Sequence, residues 1–212
     1  DQWLLHLPTP KTRKISRERS LRIPMRDGVT LVAERWAPAA GGDGLPTALI
    51  RTYYGTRAGS GTLLARALAE RGYQVLVVAS RGTFGSGGVA HPRHDEREDG
   101  LDVVARIIEQ GWFGDAIVLA GASYLGYTQW AIADLVPEQV KAMIPVLTSS
   151  SLMPDFLRAD HYQLEIPFGW GIQVATQEER FAELRTEVQE RAALKAMDTL
   201  PLGAADKAVL GH

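Results

Sequence analysis

Between residues 47 and 147 the sequence alternates short apolar runs with amphipathic stretches, and this alternation constrains the fold more than any other feature. Val75-Leu76-Val77-Val78 and Ala116-Ile117-Val118-Leu119-Ala120 are apolar on both faces. Such strands belong to parallel sheets covered by helices on either side. Residues 47–52 and 140–147 are expected as further strands. Between the strands, residues 62–70 (Leu63, Leu64, Ala67, Leu68), 99–110 (Leu101, Val104, Ile107, Ile108) and 124–135 are predicted helices. Gly72 and Gly111 stand just past the first two, where helices stop. Strand and helix in regular succession predict an α/β chain with a doubly wound, mostly parallel sheet.

Two flanking regions complete the layout. Leu21-Arg22-Ile23-Pro24-Met25 and Val29-Thr30-Leu31-Val32-Ala33 surround Arg26-Asp27-Gly28, and an Asp-Gly turn between apolar runs predicts an antiparallel hairpin. The basic residues of 11–20 (Lys11, Arg13, Lys14, Arg17, Arg19) are expected to form a solvated lead-in. Residues 38–46 and the glycine-rich 81–88 are expected loops. After Leu147 the pattern changes. Residues 149–176 hold no strand run, and 178–197 predicts a charged amphipathic helix (Phe181, Leu184, Val188, Ala192). This is expected to be the start of a helical cap, dividing the chain into a sheet-bearing part, 1–148, and a cap part, 149–212.

Composition narrows the chemistry. With 23 basic and 25 acidic residues and a net charge of −2, nothing favours nucleic acid or an anionic membrane as partner. Cysteine is absent, which excludes disulfides, thiol catalysis and cysteine-ligated metal. No apolar run is long enough for a transmembrane helix. Asp1-Gln2-Trp3-Leu4-Leu5-His6 is neither an initiating-Met start nor a signal peptide, so a cytoplasmic protein is expected, from a chain that is trimmed or partial.

The segment that carries chemistry is Gly121-Ala122-Ser123-Tyr124-Leu125-Gly126, which follows an apolar strand and opens a helix. That context defines a nucleophile elbow. A serine on so tight a turn needs small neighbours, and Gly121 and Ala122 supply them. The turn lifts the hydroxyl to the carboxyl edge of the sheet, where open α/β sheets place ligands. The helix that follows aims its free N–H groups at the same point, suiting a developing oxyanion. Ser123 is therefore the expected nucleophile. The pattern departs from Gly-x-Ser-x-Gly in having Leu125 at the second glycine position and Gly126 one residue later.

Several blocks together resemble the cocaine esterase and X-Pro dipeptidyl-peptidase family of serine hydrolases. They are Met25-Arg26-Asp27-Gly28-Val29-Thr30-Leu31, Arg51-Thr52-Tyr53-Tyr54-Gly55, Arg81-Gly82 with Gly85-Ser86-Gly87-Gly88, and Glu98-Asp99-Gly100-Leu101-Asp102. The most specific is the elbow itself with Thr128-Gln129-Trp130. The resemblance covers residues 20–150 firmly and the later helices weakly. It implies an α/β-hydrolase fold, attack by Ser123 on an ester or amide carbonyl, and an oxyanion held by the backbone N–H of Tyr124 and the phenol of Tyr54. No metal or cofactor is implied. Tyr53 stands where the family commonly has proline and is expected to pack. Ala79 replaces an aspartate often found two residues before the Arg-Gly pair, which weakens the case for a local ion pair at Arg81.

A serine needs a base and an acid to orient that base. In this fold both follow the nucleophile in the chain. His91 and His94 precede Ser123. His6 lies in the lead-in and His212 at the terminus. His161 lies in the expected cap, where it is a candidate for substrate contact. None suits the triad. The chain is expected to be one part of a larger enzyme, inactive alone, with the last sheet strands and the remaining triad members supplied by a C-terminal segment or a separate chain. The substrate is expected to be a small-molecule or short-peptide ester or amide. Acyl transfer through the same acyl-enzyme, and a non-catalytic hydrolase-like binding scaffold, remain alternatives at this point.

Overall fold

The computed structural model describes residues 7–56, 59–151, 157–158, 161–179 and 182–211. The chain divides into two compact units, Asp1–Ser150 and Ser151–His212.

The first unit is built on one six-stranded sheet. Strands β1 (Ile15–Pro24) and β2 (Thr30–Pro38) form the expected hairpin, with Gly28 at φ 87° in its turn. β3 (Thr47–Thr52), β4 (Gln74–Ala79), β5 (Ile117–Ala122) and β6 (Val140–Val146) follow, separated by helices α1 (Gly59–Ala69), α2 (Glu96–Ile108) and α3 (Tyr124–Trp130). The spatial order is β1-β2-β4-β3-β5-β6. β1 and β2 are antiparallel to their neighbours, and β4, β3, β5 and β6 are mutually parallel.

The two faces of the sheet bury different sets of residues, as the period of two along a strand requires. Leu49, Leu76, Val78 and Leu119 pack with Val103, Val104 and Ile107 of α2. Ala48, Ile50, Val75 and Val77 pack with Ala65 and Ala69 of α1 and with Leu125 of α3. Every residue of β3 and β4 is buried, which is why the middle of each reads as an apolar run.

The structure corrects the expected lead-in. Residues 15–20 belong to β1 and pair with β2 as far as Pro38, with a register shift between Glu18 and Leu21 where Ser20 takes φ 58°. Arg17 lies over the Trp36 ring at 4.1 Å and donates from Nε to Glu34 Oε2 at 2.6 Å. The second half of the basic run is thus part of an edge strand, and its Arg17 serves β2. Helix α2 begins three residues earlier than predicted, because Glu96 and Asp99 face inward on its first turn. Helix α3 ends at Trp130 and continues as turns.

In the second unit, a short antiparallel hairpin pairs β7 (Leu157–Arg158) with β8 (His161–Tyr162), where no strand was expected. Three helices follow and pack on one another: α4 (Glu165–Thr176), α5 (Ala182–Ala196) and α6 (Ala205–Leu210). The stretch containing α4 escaped the periodicity argument because it is apolar on nearly all sides, with Glu165 its one charged residue. Its Pro167 sits in the first turn, where no N–H is needed. Helix α5 falls inside the predicted 178–197, and Phe181 of that prediction lies outside the described residues. Among the described residues, no helix is long and apolar enough to cross a membrane.

Candidate active site

Ser123 stands between the last residue of β5 and the first of α3, at φ 57° and ψ −124°. A non-glycine residue at positive φ is strained. The surroundings hold it there. Its N–H donates to Val146 O on β6 at 2.8 Å, and its C=O accepts from the N–H groups of Gly126 (2.9 Å) and Tyr127 (3.1 Å). The strain is thus locked by the neighbouring strand on one side and by the first turn of α3 on the other.

The glycines of the elbow have separate reasons. A Cβ at Gly121 would collide with the Cβ of Leu125 and stand 3.2 Å from that residue's backbone C and O. A Cβ at Gly126 would come within 2.5 Å of Thr148 Cγ2. This explains the displaced glycine. Position 125 faces the core, where Leu125 packs with Ile50 and Ala65, so the close approach to the chain after β6 falls on residue 126.

Gln129 is a contributor that the motif Thr128-Gln129-Trp130 names without explaining. Its buried amide Nε2 donates to Gly121 O (3.3 Å), Leu125 O (3.2 Å) and Ile144 O (3.2 Å), while its Oε1 accepts from the Ile144 N–H at 2.9 Å. One side chain thereby ties α3 to both β5 and β6.

Tyr54 is half-buried and follows the end of β3, which pairs in parallel with β5. Tyr54 and Ser123 therefore emerge at the same carboxyl edge from adjacent strands. The Tyr54 N–H donates to Thr52 Oγ1 at 3.0 Å. Tyr53 is buried, with its ring edge-on to Tyr124 at 5.0 Å between centroids. The Tyr124 phenol is also buried. It donates to Glu96 Oε1 at 3.0 Å and accepts from the Arg93 N–H at 2.8 Å. Burial first, and then the charge of Glu96, push this phenol well above the usual tyrosine range, so it stays protonated.

Arg81 finds its partners outside the local sequence. Its Nε and Nη2 donate to Asp99 of α2 at 3.0 and 2.5 Å, and its Nη1 donates to Asp27 of the hairpin turn at 2.7 Å. Ala79 thus costs it nothing. His91 and His94 are exposed in the loop before α2, with ring centroids 6.2 Å apart. Among the described residues, no histidine is hydrogen-bonded to the Ser123 hydroxyl. His161 lies on β8, but its side chain is outside what the structure describes, as are His6 and His212. No group of three or more His, Asp or Glu among the described residues is placed to hold a metal ion.

A sheet of this order, with a strained serine between its fifth strand and the helix that follows, is part of an α/β-hydrolase fold. The chain belongs to the X-Pro dipeptidyl-peptidase (S15) family, which residues 27–211 match. It is 31% identical over 171 residues to the cocaine esterase of Rhodococcus sp. (strain MB1 Bresler), covering 74% of this chain and 28% of that protein. It therefore spans little more than a quarter of that relative's length. A CocE/NonD family hydrolase from Staphylococcus aureus superposes with a TM-score of 0.53 at 26% identity, covering 62% of this chain and 30% of that one. An aminopeptidase from a marine sediment archaeon, Thaumarchaeota archaeon, shares the fold over 92% of this chain and 38% of its own, with a TM-score of 0.66 at 19% identity.

Proposed function

We propose that this chain supplies the nucleophile and both oxyanion donors of a serine hydrolase that cleaves an ester or amide of a small molecule or short peptide. The carrying observation is Ser123 at φ 57° on the carboxyl edge of the sheet, one strand away from Tyr54. In the first step the Ser123 Oγ attacks the carbonyl carbon and its proton passes to a histidine. The tetrahedral oxyanion accepts from the Tyr124 N–H and the Tyr54 phenol. Collapse expels the alcohol or amine, which takes the proton from the imidazolium. Water, activated by the same base, then attacks the acyl-Ser123 ester and frees the acid. Such chemistry needs no metal or cofactor.

The histidine and its acid are read as coming from a segment outside these 212 residues. Two observations support this: the relatives named above are much longer, and His91 and His94 both precede the nucleophile. That segment would continue the sheet at β6, whose only neighbour among the described residues is β5 and where Ile144 and Val146 are 48% and 44% exposed. On this reading, Ser151–His212 begins the cap, and His161 of that cap is the candidate for substrate contact. Residues 1–212 expressed alone are expected to show no Ser123-dependent turnover of activated esters. Robust turnover would instead require a base within the chain.

The direct test is a fluorophosphonate applied to the full-length gene product, followed by peptide mass spectrometry. The adduct is expected on Ser123. An adduct elsewhere, or ester turnover with Ser123 unmodified, would refute the reading. Tyr54→Phe removes one oxyanion donor, and kcat is expected to fall by about 10²–10³ with a smaller change in KM. Unchanged kcat would mean that Tyr54 only packs.

A further inference from the structure

We infer that the buried Arg51–Glu96 pair is a positioning device that locks the two oxyanion-bearing segments to each other, with the Tyr124 phenol as its connecting rod. The inference rests on the function proposed above and adds three side chains to it, those of Arg51, Glu96 and Tyr124, none of which touches substrate.

The wiring is as follows. Arg51 lies near the end of β3, three residues before Tyr54, and Glu96 opens α2. Both side chains are buried, and the Arg51 Nη2 is ion-paired with Glu96 Oε2. The Arg51 Nη1 also donates to the Glu96 backbone C=O at 2.7 Å and to Thr128 O, on α3, at 3.4 Å. The second carboxylate oxygen, Glu96 Oε1, accepts from the Tyr124 phenol at 3.0 Å and from Ser80 Oγ at 3.2 Å. Ser80 follows β4. One carboxylate thus receives hydrogen bonds from the ends of β3 and β4 and from the first residue of α3, while itself fixed on α2.

Two features show that the arrangement is built for close approach. A Cβ on Gly100, one turn along α2 from Glu96, would collide with Arg51 Nη1, so glycine leaves the room that the guanidinium occupies. The Tyr124 hydroxyl is held from its other side by the Arg93 N–H at 2.8 Å, which leaves the ring little freedom to turn. Tyr124 carries the proposed oxyanion N–H on its backbone, and Tyr54 follows Arg51 by three residues. A shift of the pair would change the spacing between the Tyr54 donor and the Ser123–Tyr124 segment. Donors of this kind act only when they are preorganised at the place where charge develops, and small displacements are costly.

A buried ion pair is weak support for stability, since apolar replacements of similar volume are often neutral or stabilising, whereas removing one partner leaves a buried charge. This separates positioning from folding. The full-length gene product is made as Tyr124→Phe, as Glu96→Gln and as the double variant Arg51→Met/Glu96→Leu. Each is assayed for kcat and KM, for inhibition by a boronic acid that forms a tetrahedral adduct on serine, and for thermal midpoint. Tyr124→Phe and the double variant are expected to stay folded, with the midpoint lowered only by the buried hydrogen bonds that each removes. Both should lose kcat and boronate affinity in parallel, by about tenfold to a hundredfold, with KM within about twofold. Glu96→Gln, which keeps an oxygen facing Tyr124, is expected to lose less than Tyr124→Phe at its own measured midpoint.

A double variant that is folded and has wild-type kcat and boronate affinity overturns the inference and leaves the pair a fold element. If the double variant does not fold, Tyr124→Phe decides alone, because it leaves the ion pair intact; unchanged kcat and boronate affinity again overturn the inference. Fluorophosphonate labelling in parallel separates this failure from that of the underlying reading. Ser123 labelled with Tyr124→Phe unaffected sinks only the positioning role, and Ser123 unlabelled in the wild type sinks both.

Discussion

Replacing Ser123 by Ala is expected to lower kcat in the full-length gene product by roughly a millionfold, with little change in KM. Loss of a triad serine costs that much because the remaining members act only through it. What survives is the stabilisation offered by oxyanion donors and binding, of the order of 10³–10⁴ over water. The substitution is sterically mild. The strained φ of 57° at residue 123 is held by Val146 O and by the first turn of α3, and an alanine keeps those backbone contacts. Stability should therefore rise slightly or stay level, since only the hydroxyl is removed from a site that stores strain. Steady-state kinetics with active-site titration, to exclude wild-type contamination, is the check. A fall of less than about a thousandfold would point to a different nucleophile.

The second large effect is expected from Gly121→Val. Added carbons at position 121 run into the Cβ and backbone of Leu125, and Leu125 cannot yield because it is buried among Ile50, Ala65 and the other residues on that face of the sheet. The space has to come from the elbow itself, by spreading the junction of β5 and α3. Overpacking of this kind typically costs about 1–3 kcal/mol of stability. A displacement of the nucleophile of about 1 Å is worth a further hundredfold in kcat. Urea unfolding and kcat measured on the same preparation should both fall. Wild-type values for both would show that the β5–α3 turn has room that the geometry denies.

Much of this was legible beforehand, for reasons that differ by element. β3, β4 and β5 were readable because no position in them is exposed, which leaves a central apolar run in each. The elbow was readable because its turn forces small residues around the serine. The first half of β1 was not, because its residues are mostly exposed and polar, and a strand that buries one side against Trp36 and Glu34 carries no apolar alternation. Helix α4 was missed because it has no polar face to create a period. The site's supporting hydrogen bonds were illegible for another reason. Arg51 meets Glu96 across 45 residues, Arg81 meets Asp27 across 54, and nothing in either neighbourhood announces the partner. Only the folded chain brings them together, so the tight turn at Ser123 was legible while its scaffold was not.

The interleaved strand order has a consequence for synthesis. β3 lies between β4 and β5, yet Ile117 of β5 is 38 residues past Ala79 at the end of β4. At ribosomal rates of about 5–20 residues per second, roughly 2–8 s separate the emergence of one neighbour from that of the other. Throughout that interval one edge of a fully buried strand waits without its partner, the exposure that draws chaperones and invites aggregation. Long-range parallel pairing is also intrinsically slow to form. The strand that leads to Tyr54 is thus paired on both sides only when the strand that leads to Ser123 arrives, so the two segments of the proposed site take their places in the same event.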